Sequence, residues 1–181
     1  MRVITGTARG RRLGELRGRE TRPTADKVKE GLFSAIQFEL EGRRVLDLFA
    51  GTGQLGIEAL SRGAESCVFV DCRRDAVTLV RENLALCGFT GRAEVLCGDA
   101  PGLLGSLGGG FGLILLDPPY AGGELERAIE GIVRFDILAP GGILAAESPA
   151  DKPLPALPAD WRVRRAYLYG KIKVTVLDRD G

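Results

Sequence analysis

Val45-Leu46-Asp47-Leu48-Phe49-Ala50-Gly51-Thr52-Gly53-Gln54-Leu55-Gly56 leads from an apolar run, through a glycine turn, into a helical pattern. Residues 45–49 are short, rich in branched and aromatic side chains, and broken only by Asp47, as in a strand buried on both faces. The glycines let the backbone turn sharply and let a ligand approach closely. Asp71 ends the next apolar run, 20 residues after Gly51, where a carboxylate can accept both hydroxyls of a ribose. The spacing Gly51-x-Gly53-x-x-Gly56 also fits a dinucleotide fingerprint, so this stretch alone leaves a nicotinamide or flavin enzyme open. Asp47 argues against that, because a carboxylate there would repel a pyrophosphate. It suits a cationic group such as the amino group of methionine.

Outward from this stretch the rhythm continues. Strands are expected at 45–49, 67–70, 94–97, 113–116 and 143–146, and helices at 55–61, 76–86 and 124–134, with Gly63 and Gly88 closing the first two helices. The near-continuous apolar strands predict a parallel α/β sheet covered on both faces. Pro149, Pro153, Pro155 and Pro158 mark an irregular connection. Residues 162–169 and 173–177 then flank Gly170-Lys171-Ile172, a hairpin that closes the sheet with an antiparallel strand. Upstream, residues 1–20 mix apolar, basic and glycine residues, as in a short strand or hairpin. Thr24 is placed as an N-cap, and Val28, Leu32, Phe33 and Ile36 give a first helix over residues 25–40. The expected division is a basic arm with the first helix, residues 1–40, and a body of residues 41–181, forming one unit.

The 181 residues are 45% hydrophobic and 27% charged, as in a soluble globular domain. No apolar run approaches the roughly 20 residues of a membrane span, and the first residues lack a signal-peptide core, so a cytoplasmic protein is expected. Cys67, Cys72, Cys87 and Cys97 form no CxxC pair, and the chain has no histidine. A zinc site is therefore not expected, and Ser-His or Cys-His nucleophiles are excluded. Net charge is +1, yet residues 1–30 carry nine basic and four acidic side chains, a local +5 that leaves −4 for the rest. Such a basic arm suits a polyanionic partner.

Asp117-Pro118-Pro119-Tyr120 follows the fourth strand and shares the sheet's carboxyl-end crevice with the glycine turn. The prolines have no N–H, so the tetrad offers acceptors, the Asp117 carboxylate and the Pro118 carbonyl. An exocyclic amino group, with two donors, is complementary to them. Tyr120 adds a ring on which a base can stack. Together the two constellations describe a crevice that takes a ribose-bearing, positively charged ligand beside an exocyclic amino group.

The pair DLFAGTG (residues 47–53) and DPPY (117–120), with Leu138-Ala139-Pro140-Gly141-Gly142, resembles the class I S-adenosylmethionine-dependent methyltransferases that modify amino nitrogens of nucleic acid. More narrowly, Arg22-Pro23-Thr24-Ala25-Asp26-Lys27-Val28-Lys29-Glu30 and LFAGTGQLGIEALSRGA (48–64) resemble the RsmD family of ribosomal small-subunit RNA guanine-N2 methyltransferases. The resemblance runs along nearly the whole chain. Gln54 departs from the small residue usual in the family. The resemblance implies a Rossmann-like fold with a mostly parallel seven-stranded sheet whose last strand is antiparallel. It implies S-adenosylmethionine as cofactor and S-adenosylhomocysteine as product. The implied partner is 16S ribosomal RNA in the small subunit or an assembly intermediate, with a guanine of the 966 type as target.

Carried over by position, Asp47, Gly51 and Gly53 would hold the methionine end of the cofactor, and Asp71 the ribose. Asp99, with Ala100 beside it, would meet the adenine amino group, while Arg22 and Thr24 would lie near the cofactor's carboxylate. Asp117, Pro118, Pro119 and Tyr120 would carry the transfer. Arg9, Arg11 and Arg12 would contact RNA phosphates, which set register and not sequence. No metal and no membrane partner is expected, and a monomer is favoured. The rivals are a DNA adenine-N6 or cytosine-N4 methyltransferase, methylation of a protein glutamine, and an RNA-binding module without catalysis.

Overall fold

The computed structural model describes residues 1–16 and 23–181. Arg22 lies outside the described residues. The elements are α1 (Pro23–Ala35), β1 (Arg44–Leu48), α2 (Gln54–Ser61), β2 (Ser66–Asp71), α3 (Arg74–Cys87), β3 (Ala93–Cys97), α4 (Ala100–Leu103), β4 (Phe111–Leu116), α5 (Glu124–Arg134), β5 (Leu138–Pro149), β6 (Trp161–Tyr169) and β7 (Ile172–Arg179).

The strands form one seven-stranded sheet in the order β3-β2-β1-β4-β5-β7-β6. β1 to β5 run parallel, and β7 is antiparallel to both β5 and β6. The expected mostly parallel sheet with an antiparallel last strand is thus observed. Side chains alternate across it. Val45, Leu113, Leu115, Ile143 and Ala145 enter one apolar cluster with residues of α1, α2 and α3. Leu46, Leu48, Ile114, Leu116, Leu144 and Ala146 enter a second cluster with α5. Both faces being covered, the strands have no polar alternation, which is why they read as unbroken apolar runs. α5 buries Leu125, Ala128, Ile129 and Ile132, at the i, i+3, i+4, i+7 spacing of one helical stripe.

Val3, Ala8 and Leu13 join the first cluster beside Val28, Leu32, Phe33 and Ile36, so the arm and α1 share the sheet's core. The arm folds back on itself, with Val3 N–H to Arg11 O at 2.9 Å, Gly10 N–H to Val3 O at 2.9 Å, and Arg2 bridged to Arg12. α2 fastens it. The fully buried Glu58 accepts from the N–H groups of Ile4 (2.8 Å) and Thr5 (3.0 Å), and from Arg62 Nε at 2.8 Å. Ser61 Oγ accepts from Ala8 N–H (3.0 Å) and donates to Thr5 O (2.6 Å). Lys29 of α1 is 1% exposed, donates to Arg2 O at 2.8 Å and lies 4.0 Å from Glu58. Burial pushes the Lys29 pKa down, against the opposing pull of Glu58.

Several boundaries differ from the sequence reading. α1 begins at Pro23, so Thr24 lies within its first turn and is not the N-cap; proline fits that turn, where its missing N–H has no helical partner. α1 also stops at Ala35, and a 3-10 turn over Gln37–Glu39 follows. β5 is far longer than 143–146, because antiparallel pairing with β7 carries it to Pro149 and a register irregularity lets Leu138 pair with Phe111. The four-residue α4 was not expected; it is too short to show an apolar period. Among the described residues, no helix is long and apolar enough to cross a membrane.

Candidate functional site

β1 ends on a strained step. Phe49 has φ +66°, a left-handed conformation that costs a side-chain-bearing residue energy and clusters at functional sites. Gly53 then caps α2 with φ +77°, which glycine adopts without strain. Gly56 lets α2 pack tightly on the sheet, because a Cβ there would stand 2.3 Å from the Phe69 ring and 2.7 Å from Cys67 Sγ. Asp47 is buried beneath this turn, its Oδ2 accepting from Gly56 N–H at 2.9 Å. Burial, with the charges of Asp117 and Asp71 adding to it, holds its pKa well above the usual carboxylate range.

Asp71, at the end of β2, accepts from Gly51 N–H through Oδ2 (2.8 Å) and from Arg73 N–H through Oδ1 (2.9 Å). Each oxygen keeps a second lone pair for a ligand hydroxyl. Asp99 caps α4, accepting through Oδ2 from Gly102 N–H (3.0 Å) and from Arg127 Nη2 (3.2 Å).

These groups line one cleft of about 550 Å³ at the carboxyl ends of the strands. Gly51, Asp71, Asp99, Ala100, Asp117, Pro118, Pro119 and Tyr120 all line it. The volume falls within the usual range for small-molecule sites, roughly 300–1,000 Å³. Eight sequence-predicted residues therefore meet in one place. Asp47 and Gly53 do not line the cleft; they shape the turn that does. Thr24 sits in α1, whose first residues have no described side chains, and Arg22 is outside the described residues. Arg9, Arg11 and Arg12 are exposed on the arm, away from the cleft wall, although Leu16 of the same arm lines it.

Tyr120 is 46% exposed, leaving ring surface for stacking. Its hydroxyl donates to Glu147 Oε1 at 2.5 Å, and burial followed by this bond raises its pKa. Glu147, on β5, was missed in the sequence, although a carboxylate closing an apolar run is the signal that exposed Asp71 and Asp117. Phe49, Leu16 and Cys72, which line the cleft itself, carry no such signal. Asn83, buried on α3, ties arm to turn: Oδ1 accepts from Gly14 N–H at 2.7 Å and Nδ2 donates to Thr52 O at 2.9 Å. Among the described residues no cluster of Cys, Asp and Glu could hold a metal ion.

The family model described as conserved hypothetical protein 95 matches residues 1–178. The chain is 41% identical over 184 residues to the Bacillus subtilis protein named "Putative rRNA methyltransferase YlbH", covering 100% of each. It is 32% identical over 180 residues to the ribosomal RNA small subunit methyltransferase D of Escherichia coli K12, covering 99% of this chain and 90% of that one. The solved structure named "Putative methyltransferase yhhF from Escherichia coli" superposes with a TM-score of 0.91 at 30% identity, covering 99% and 98% of the two chains. The fold is that of the class I methyltransferases.

Proposed function

The chain belongs to the conserved hypothetical protein 95 family, the RsmD family, and from that premise we propose that it methylates the exocyclic N2 of a guanine in small-subunit ribosomal RNA. The observation that carries the reading is that the Asp117-Pro118-Pro119-Tyr120 tetrad lines one cleft with Gly51 of the glycine turn.

The cleft fits S-adenosylmethionine by the chemistry of its donors. Asp71 retains acceptor capacity for ribose hydroxyls, and Asp99 and Ala100 would meet the adenine. The turn over Asp47, with Gly51 and Gly53, receives the methionine end, and Arg22 and Thr24 belong to the segment expected near its carboxylate. The cofactor supplies a methyl group on positively charged sulfur.

The protein's own part is positioning. Asp117 and the Pro118 carbonyl accept the two N–H bonds of the target amino group, which turns its lone pair toward the methyl. Pro118 and Pro119 hold that backbone without competing N–H donors. Tyr120 stacks on the base. Asp117 would stabilise the positive charge that grows on the target nitrogen as it takes the methyl group. The surplus proton then leaves to Asp117 or water. A base within a helix cannot enter, so the target is unpaired or flipped out. Residues 1–40 supply phosphate contacts through Arg9, Arg11 and Arg12, and residues 41–181 carry the transfer site. The protein acts as a monomer in the cytoplasm, where small subunits assemble.

The test is transfer of labelled methyl to small subunits lacking the modification, naked ribosomal RNA, duplex DNA and bulk protein. Label confined to the subunit or its RNA, as N2-methylguanine, is expected. Asp117→Ala should abolish turnover and keep the melting-temperature rise caused by S-adenosylhomocysteine. Label in DNA or protein, or near-wild-type turnover of Asp117→Ala, would overturn the reading.

A further inference from the structure

Glu147 touches the cleft through Tyr120, whose hydroxyl it holds, yet the transfer just described gives it no task. The register Leu115↔Ala145 and Leu116↔Ala146, continued by one residue, puts Asp117 beside Glu147. Their Cα atoms are then about 4.8 Å apart, the spacing of neighbouring strands. Leu115 and Ala145 face the same apolar cluster, so Asp117 and Glu147, two residues further on, share that face of the sheet. The Tyr120 hydroxyl, 2.5 Å from Glu147 Oε1, fixes the carboxylate next to the stacking ring. Glu147 is half-buried and retains further lone pairs beyond the one Tyr120 occupies.

We propose that Glu147 determines which base is methylated, by accepting the ring N1–H that adjoins the target amino group of guanine. The proposal rests on the guanine reading above. Guanine presents three N–H bonds in a row, two on N2 and one on N1. Asp117, the Pro118 carbonyl and Glu147 give a matching row of acceptors. In adenine and cytosine the ring nitrogen beside the amino group bears a lone pair instead. That lone pair would face the Glu147 oxygen not bonded to Tyr120, acceptor against acceptor with no donor between them. Sites built to bond one polar group discriminate strongly against analogues that lack it. Glu147 thus acts in specificity, while Asp117 and Pro118 act on the nitrogen that reacts.

The discriminating probe is 2-aminopurine, which keeps the C2 amino group and replaces N1–H with a lone pair. The guanine methylated in natural subunits is first mapped. Small-subunit RNA carrying either guanine or 2-aminopurine there is then made by ligation and assembled with the subunit proteins. Wild-type protein should prefer guanine in kcat/KM by about 10- to 100-fold. Glu147→Ala should slow guanine methylation and bring the ratio to within about threefold of one. Glu147→Gln keeps the size, can still accept from Tyr120, and can donate to the ring lone pair, so it should shift preference toward 2-aminopurine. The stabilisation by S-adenosylhomocysteine shows which variants are folded, and Glu147→Gln carries the test if the alanine variant is not. A wild-type ratio near one, or a ratio unchanged in the folded variants, overturns the role of Glu147 and leaves the methyl-transfer reading standing. Wild-type protein that leaves guanine unmethylated overturns both.

Discussion

Glu58→Gln tests how the arm is held. The wild-type carboxylate is fully buried, takes two backbone N–H bonds from the arm and one from Arg62, and is the nearest opposite charge to the buried Lys29. Glutamine keeps the shape and one acceptor oxygen, but its amide NH₂ then opposes a donor, and Lys29 is left charged without its partner. Breaking one member of a buried pair costs about 3–5 kcal/mol. For a domain of this size each kcal/mol lowers Tm by about 2–4 °C, so a fall of roughly 6–20 °C is expected. Hydrogen exchange separates local from global effects: the Val3, Gly10 and Leu13 amides, bonded within the arm, should exchange faster before those of β1 and β4 do. Replacing Lys29 by methionine in the Glu58→Gln background removes the stranded charge and should recover part of the loss. A Tm change under about 2 °C, with arm protection intact, would refute the claim that this pair fastens the arm.

Charge reversal at Arg9, Arg11 and Arg12 should weaken binding to small-subunit RNA and flatten its salt dependence, by about 0.7–0.9 in log–log slope for each phosphate no longer neutralised. An unchanged slope in salt titrations would remove the arm from the RNA interface. Asp47→Asn tests the buried acid. Burial raises the folded-state pKa above the unfolded value near about 3.9, so the stability Asp47 contributes is present in acid and lost as pH rises through the folded value. Asparagine, which can still accept from Gly56 N–H, escapes the cost of ionisation. Its Tm advantage over wild type should therefore grow from about pH 4 upward, while cofactor affinity falls; a pH-independent difference between the melting curves would contradict this.

The parallel core was legible because both sheet faces are covered, which leaves apolar runs such as Leu113–Leu116 without polar alternation. The hairpin that places β7 beside β5 was legible from Gly170-Lys171 between two alternating strands. What the sequence hid depends on distant partners. The full length of β5 comes from pairing with β7, and α4 is held by the Asp99 cap and not by an apolar stripe. The stretch GIEALSRGA marked the family without showing its reason. In the structure Glu58 and Ser61 are the clasp for backbone N–H groups more than 50 positions away, and no local pattern encodes such a partner. Leu16 reaches the cleft for a related reason: the Asn83 bridge between Gly14 and Thr52 lays the arm over the glycine turn.

The strand ends explain why one fold separates cofactor, base and phosphate. Asp47, Asp71, Asp99, Asp117 and Glu147 lie within two residues of the carboxyl ends of β1, β2, β3, β4 and β5 in turn, one carboxylate to each parallel strand. Such a rim is an acceptor surface. It disfavours a pyrophosphate in the glycine turn through charge repulsion, which sets this site apart from a nicotinamide site with the same glycine spacing. It favours ligands that present hydroxyls, amino groups and positive charge. The same rim would repel RNA phosphates, so the backbone must be met elsewhere. On the proposed function the basic arm, a net +5 over residues 1–30 against −4 for the remainder, would provide that place. Because α2 fastens the arm and Asn83 ties it to the turn, the proposed phosphate contacts outside the cleft and base contacts within it would be set in one frame.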